Sequence, residues 1–214
     1  IGVLDAEGNF ISGDKLLLLY AMDILKRKPK SKIIADVKAS NIIFDTINNL
    51  GGKAIMCKTG HSLIKAKMKE TNALLAGEMS GHIFFSDDYY GFDDALYVGL
   101  RLLKLLSNTD QKLSELVNQI PKYCSTPEMR INCKNDDEKF KITEKAVKYF
   151  KENHECITID GVRIKFENGW GLVRASNTQP VIVCRFEAKN SKSLKEIKDF
   201  VLNKLNDFGE INYE

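Results

Sequence analysis

Long apolar runs are missing from this chain. Its longest, Leu16-Leu17-Leu18-Leu19-Tyr20-Ala21-Met22, is far too short to span a bilayer and is bounded by Asp14 and Asp23, so no membrane partner is expected. An excess of charge is also missing. The formal net charge is +3 over 214 residues, and no basic stripe with interleaved aromatics occurs, which argues against a nucleic-acid partner. Cysteine is sparse and unpatterned. Cys57, Cys124, Cys133, Cys156 and Cys184 show no CxxC spacing. An odd, scattered set argues against a disulfide framework or a structural zinc site and points to a reducing, cytoplasmic setting. Asp87, Asp88, Asp93 and Asp94 lack the spacing of a calcium loop and read as turn and cap residues, so no metal ligands are expected. No signal peptide, internal repeat or low-complexity stretch is visible, and the start at Ile1 rather than Met suggests that upstream sequence has been removed.

What is present is enough apolar residue, 43% of the chain, for a sizeable core. Residues 1 to 11 read as a hairpin around Asp5-Ala6-Glu7-Gly8-Asn9. Ser12 or Asp14 caps a helix from Lys15 to about Arg27 that ends at Pro29. Lys32 to Val37 is a β-branched strand, Ser40 caps a helix that stops at Gly51-Gly52, and Lys53 to Cys57 is a strand. Ser62 caps a short helix with Ile64 and Met68 inward, and Ala73 to Ala76 forms the next strand. Alternating strands and helices predict an α/β domain with a mixed, largely parallel sheet and helices on both faces. A long helix capped by Asp93 or Asp94 follows, with Leu96, Leu100, Leu103 and Leu106 as its apolar set. Pro121 breaks the pattern and marks a boundary near 118 to 122.

Gly77-Glu78-Met79-Ser80-Gly81-His82 lies between two apolar runs. If extended, it points Glu78, Ser80 and His82 the same way. A carboxylate, a hydroxyl and an imidazole on one edge suit sugar hydroxyls and proton exchange. The plain alternative is a solvated strand connection. Two further polar segments, Asp36 to Ser40 and Lys58 to Ser62, also follow strands, and ligands of such sheets sit at the carboxyl ends of the strands. Lys38 there can neutralise an anion and His61 can act as an acid or base, or each can be an ordinary turn residue.

The second half has another order. A strand-like stretch from Lys122 to Cys133 is followed by a helix that Asp136 or Asp137 precedes and that runs to about Glu152. A hairpin at Glu167-Asn168-Gly169, a strand from Val181 to Ala188 and a final helix capped by Ser191 follow. This is an α+β plan with an antiparallel sheet. His154 reads as a charge partner of a helix C-terminus and Trp170 as core. Arg174-Ala175-Ser176-Asn177-Thr178-Gln179-Pro180 joins two strands. Its guanidinium, hydroxyls and amide suit phosphate oxygens, with backbone N–H groups as a nest. The alternative is an ordinary turn of the same composition.

Together these segments are recognisable. Gly77 to His82 is similar to the sugar-recognition loop of the α-D-phosphohexomutases, and Arg174 to Pro180 resembles their phosphate-binding loop. Asp36-Val37-Lys38 and Lys58 to Ser62 resemble active-site segments of their third domain. Met56 to Thr71 is especially like the bacterial phosphomannomutase/phosphoglucomutase branch. The resemblance implies that residues 1–12 are the tail of domain 2, 13–118 the sugar-binding domain 3, and 119–214 the phosphate-binding domain 4. It implies interconversion of hexose 1-phosphate and hexose 6-phosphate, of mannose or glucose, through a hexose 1,6-bisphosphate that turns over in a cleft. It assigns Glu78 and Ser80 to sugar hydroxyls. Lys38, His61 and His82 become charge or proton partners, and Arg174, Ser176, Asn177 and Thr178 grip the phosphate. The phosphoserine and the magnesium-binding aspartate loop of the family belong to domains 1 and 2, and neither motif occurs here. Lys15 stands where relatives often carry Arg, Asn41-Ile42 where they often carry a basic residue, and Gln179 where Glu is frequent. The alternative within this resemblance is a non-catalytic sugar-phosphate-binding remnant.

Overall fold

A computed structural model describes residues 1–209. The chain divides into two compact units, Ile1–Pro121 and the residues from Lys122 onward. The first opens on an antiparallel hairpin, β1 (Val3–Leu4) with β2 (Phe10–Ile11). Its turn is held by Asp5, whose carboxylate accepts from the N–H groups of Glu7 and Asn9. There follow α1 (Gly13–Arg27), β3 (Lys32–Asp36), α2 (Asn41–Asn49), β4 (Lys53–Cys57), α3 (His61–Thr71), β5 (Leu75–Gly77), β6 (Ile83–Phe85), α4 (Ala95–Ser107) and α5 (Leu113–Asn118).

The sheet order is β4-β3-β5-β6. β3 runs parallel to both neighbours, and β6 is antiparallel to β5. Period-two alternation sends side chains to two cores. Ile33, Ala35, Leu75, Ile83 and Phe85 pack with α1, α2 and α4, whereas Ile34, Ala76 and Phe84 pack with Ile64 and Met68 of α3. Helices therefore cover both faces, as the alternation of elements predicts. Ser40 caps α2, its hydroxyl accepting from the Ile42 N–H. For α3 the expected cap shifts: the helix starts at His61 with Gly60 as its cap, and Ser62 lies inside the first turn.

The largest difference from the sequence reading is α4. Its buried residues are Val98, Arg101 and Leu102, while Leu96, Leu100 and Leu103 are 83%, 63% and 64% exposed. The inward face is set by charge rather than by leucine. Arg101 Nη2 donates to Asp87 at 2.7 Å, and Arg27 and Lys28 from the end of α1 donate to the same carboxylate at 2.8 and 2.7 Å. Asp87, expected in a surface turn, is fully buried. Burial pushes its carboxyl pKa up, but hydrogen bonds from Lys28, Arg27 and Arg101 outweigh that and hold it well below the usual carboxylate range. Its stabilisation is therefore present above the unfolded carboxylate pKa and is lost as pH falls.

The second unit holds β7 (Cys124–Ser125), β8 (Met129–Asn132), α6 (Asp136–Asn153), β9 (Cys156–Ile157), β10 (Val162–Phe166), β11 (Gly169–Ala175), β12 (Val181–Ala188) and α7 (Ser191–Asn206). All pairings are antiparallel, in the order β7-β12-β11-β10-β9 with β8 also on β12. Asn135 and Asn190 cap α6 and α7, one residue before the expected caps. Helix residues such as Ile142, Phe150 and Val201 pack on one sheet face with Val162, Ile164, Val173 and Phe186. Trp170 is buried as expected, but in a polar setting. Arg163 stacks 3.6 Å from its ring centroid, and its Nε1 donates to Glu187 at 2.8 Å. His154 stands at the C-terminal cap of α6, the helix end expected for it, and its ring packs among Phe150, Phe166 and Phe200. All five cysteines are free thiols, and no helix among the described residues is long and apolar enough to cross a membrane.

Two substitutions separate the charged side of α4 from its leucine side. Asp87→Ala is expected to cost about 3 kcal/mol, the order seen on breaking a buried ion cluster. The triple change of Leu96, Leu100 and Leu103 to Gln is expected to stay within about 0.5 kcal/mol of the parent, as for exposed positions. Urea titration of the two variants checks the contrast.

Candidate functional site

Three loops at the carboxyl ends of β3, β4 and β5 meet at one buried carboxylate. Asp36, the last residue of β3, is fully buried. Its Oδ1 accepts from the Met79 N–H at 3.2 Å, and its Oδ2 accepts from the Thr59 hydroxyl at 3.1 Å. Lys38 Nζ lies 3.9 Å from Oδ2 and is itself buried. Burial raises the Asp36 pKa most. Lys38 opposes that, the charge of Glu78 adds to it, and the Met79 and Thr59 hydrogen bonds lower it, leaving the group at about 6.

The segment from Gly77 to His82 is a tight turn between β5 and β6, not the extended strip assumed from alternation. Glu78 N–H donates to His82 O at 2.9 Å and Gly81 N–H to Glu78 O at 3.0 Å. Gly81 takes φ +94°, and a Cβ there would stand 2.3 Å from the Ile1 carbonyl oxygen. From below, Gly13 opens α1 against the turn, donating its N–H to Met79 O at 3.2 Å. A Cβ on Gly13 would fall 2.5 Å from Gly81 N, so only glycine permits this approach. Glu78 is buried and Ser80 exposed, and the Ser80 hydroxyl donates to Glu78 Oε2 at 3.3 Å. The pair offers an oriented carboxylate beside a hydroxyl, a set suited to vicinal sugar hydroxyls.

The two histidines of this edge meet at Asp93. His61 Nε2 lies 3.0 Å and His82 Nδ1 2.7 Å from the same Asp93 Oδ2. Their rings stand edge to face, 5.9 Å apart. Asp93 was expected as a turn or cap residue. Asp94 takes the cap of α4, accepting from the Tyr97 N–H at 3.0 Å, which leaves Asp93 to the imidazoles. A doublet of aspartates before one helix carries that signal, because the cap uses only one of them.

In the second unit, Arg174 lies inside β11 and is 4% exposed. Asp160 orients it, accepting from Nε at 2.9 Å. Its buried Nη2 has no hydrogen-bond partner, an orphan donor that an anion would satisfy. Ser176 is buried, and its Oγ accepts from the Thr178 and Gln179 N–H groups, both at 3.3 Å. Those two N–H groups are turned into the loop rather than outward as a nest. Asn177 and Thr178 are exposed. Gln179 is braced by Arg130 Nη1 on its side chain at 2.7 Å and by the buried Lys139 on its carbonyl at 2.8 Å. Asp160, Arg130 and Lys139 were not singled out from sequence, since each lies on an element remote from the loop. A depression of about 350 Å³ in this unit, lined by residues including His154, Phe166 and Phe200, involves none of the candidate residues.

Among the described residues no cluster of three His, Cys, Asp or Glu side chains could hold a metal ion. His61 and His82 each bond to Asp93, and this nitrogen-rich set does not suit the all-oxygen octahedron of magnesium. Among the described residues, none forms a site that fits that ion.

An α/β unit whose strand ends carry a carboxylate–hydroxyl pair and two imidazoles, and a separate antiparallel unit with an orphaned arginine, define a two-unit α/β and α+β protein. Comparison with known proteins gives its family. Residues 12–123 match the family described as phosphoglucomutase/phosphomannomutase, alpha/beta/alpha domain III, and residues 128–204 match its C-terminal domain. A phosphomannomutase/phosphoglucomutase of Pseudomonas putida is 49% identical over 201 residues, covering 93% of this chain and 43% of that protein. A phosphoglucomutase of Neisseria gonorrhoeae is 46% identical, with 93% and 44% covered. The crystal structure of a phosphoglucomutase/phosphomannomutase family protein from Burkholderia thailandensis superimposes with a TM-score of 0.88 at 42% identity, covering 98% of this chain and 45% of that one. The chain belongs to the phosphoglucomutase/phosphomannomutase family and spans less than half the length of these relatives.

The raised Asp36 carboxyl gives a pH signature. The folded state holds this proton more tightly than the unfolded chain, so the contribution of Asp36 to stability falls as pH rises from about 4 through about 6 and is flat above. Asp36→Asn cannot titrate. Its stability relative to the parent is expected to rise across that window by a few kcal/mol at most. Denaturation curves at several pH values check it, and parallel profiles for the two proteins would show that Asp36 titrates normally.

Proposed function

We propose that this chain supplies the sugar and phosphate recognition of a phosphohexomutase interconverting hexose 1-phosphate and hexose 6-phosphate through a bisphosphate intermediate. The observation that carries the reading is Arg174. It is buried, oriented by Asp160 and left with an unpartnered Nη2, an arrangement that burial makes costly unless an anion completes it. Residues 1–12 are then the tail of domain 2, 13–118 the sugar-binding domain 3, and 119–214 the phosphate-binding domain 4, of which the last five residues lie outside the described ones. Glu78 and Ser80 take sugar hydroxyls. Lys38, His61 and His82 serve as charge and proton partners. Arg174, with Ser176, Asn177 and Thr178, holds the phosphate that is not being transferred.

The close relatives carry both mannose and glucose names at similar identity, which supports a substrate of either hexose series. On this reading the phosphoserine, the magnesium ion and the bisphosphate activator act with the amino-terminal domains 1 and 2, and this chain contributes positioning and charge neutralisation. Five free thiols support a reducing, cytoplasmic setting.

Two measurements test the proposal. Arg174→Ala is expected to weaken binding of glucose 1-phosphate or mannose 1-phosphate by about 1.5–3 kcal/mol, the scale of a charged hydrogen-bond partner. An unchanged titration removes Arg174 from the site. The purified chain, supplied with hexose 1-phosphate, magnesium and bisphosphate activator, is expected to show no turnover. Turnover would mean that the chemical groups lie within these 214 residues. Binding that stays absent in titrations of the unaltered chain would count against sugar-phosphate recognition altogether.

A further inference from the structure

We infer that Asp93 is a positioning residue that fixes the two site histidines in opposite tautomers, His61 with its proton on Nε2 and His82 with its proton on Nδ1. Asp93 Oδ2 lies 3.0 Å from His61 Nε2 and 2.7 Å from His82 Nδ1. A carboxylate accepts and does not donate, so each facing nitrogen must carry a hydrogen. A neutral imidazole has a single N–H. The nitrogens left bare are therefore His61 Nδ1 and His82 Nε2, one of each type. Which ring nitrogen is protonated follows from the bond the other ring nitrogen does or does not make, and here the same atom decides it for both rings.

The carboxylate is held in place independently of the histidines. Asp93 makes a backbone bridge to Phe84 of β6, and the next residue, Asp94, is pinned as the cap of α4. The buried Phe84 ring also stands edge to face with His61, 4.9 Å between centroids. α3, β6 and the start of α4 thus converge on the pair, which gives Asp93 a fixed position from which to orient two half-exposed rings. The value of bare, oriented nitrogens as proton acceptors rests on the mutase reading above. The tautomers themselves do not.

The test is spectroscopic and needs no turnover. The chain has three histidines, so 15N-histidine labelling gives a spectrum that His61→Gln, His82→Gln and His154→Gln can assign. Long-range 1H–15N correlation is recorded at about pH 8.5, where ordinary imidazoles are neutral. His82 is expected as the Nδ1–H form and His61 as the Nε2–H form. His82 found as Nε2–H in the unaltered chain overturns the inference, whatever the variants do. In Asp93→Ala, which removes the shared acceptor, His82 is expected to lose its Nδ1–H form. Retention of that form would show that another group fixes it. Asp94→Asn, which alters the helix cap, is expected to leave both tautomers as they are. Failure of sugar phosphate to bind would count against the mutase reading and leave these tautomers standing.

Discussion

A carboxylate taken out of water must have its lone pairs filled, and at the end of β3 this requirement joins three loops. Asp36 is completed by a backbone N–H from the β5–β6 turn, a hydroxyl from the β4–α3 loop and a lysine two residues on. The relative placement of these loops depends on hydrogen bonds to one buried atom pair, and moving any one of them leaves that pair unsatisfied. Gly13 adds a second constraint by letting the first turn of α1 press directly on the same turn. Glu78 and Ser80 are positioned by this arrangement and not by the strands alone.

Carboxylates do different work in the two units according to their burial. Asp36, without solvent, is pushed up in pKa and acts as a structural acceptor. Asp87, equally buried but met by three cations, stays charged and ties α1 to α4. Asp93, partly exposed, orients a pair of rings. Asp160 restrains Arg174 through Nε and leaves the buried Nη2 unpartnered. Asp36, Asp93 and Asp160 each hold a candidate site residue or its loop in place, whereas Asp87 is purely structural.

Helix α4 shows the same dominance of charge over apolar pattern. Its leucines repeat at helical spacing, yet the helix is rotated so that Arg101 reaches Asp87 and Leu96, Leu100 and Leu103 stay in solvent. Apolar periodicity identifies that a face exists; it does not say which face the rest of the fold covers. Large exposed apolar stripes usually have a covering surface in a larger assembly, and this chain spans under half of its relatives' length.

The order of elements, both fold classes and the four polar segments were legible in the sequence, because they follow from local periodicity, capping and turn chemistry and from a family resemblance carried by contiguous motifs. Lys38, His61, Glu78, His82 and Arg174 were singled out as candidates in this way. What the sequence did not show is how these groups are paired. The Asp93 link to His61 and His82 spans 32 and 11 residues, and Asp36 reaches Met79 across 43. Asp160 faces Arg174 only because two strands are in register. Such contacts leave no periodic trace, since each depends on which chain segments the sheet order brings together. The choice of the buried face of α4 was likewise made by a distant carboxylate. The sequence by itself determined which chemical groups stand at the strand ends, and tertiary packing decided which of them are held, by what, and in which protonation form.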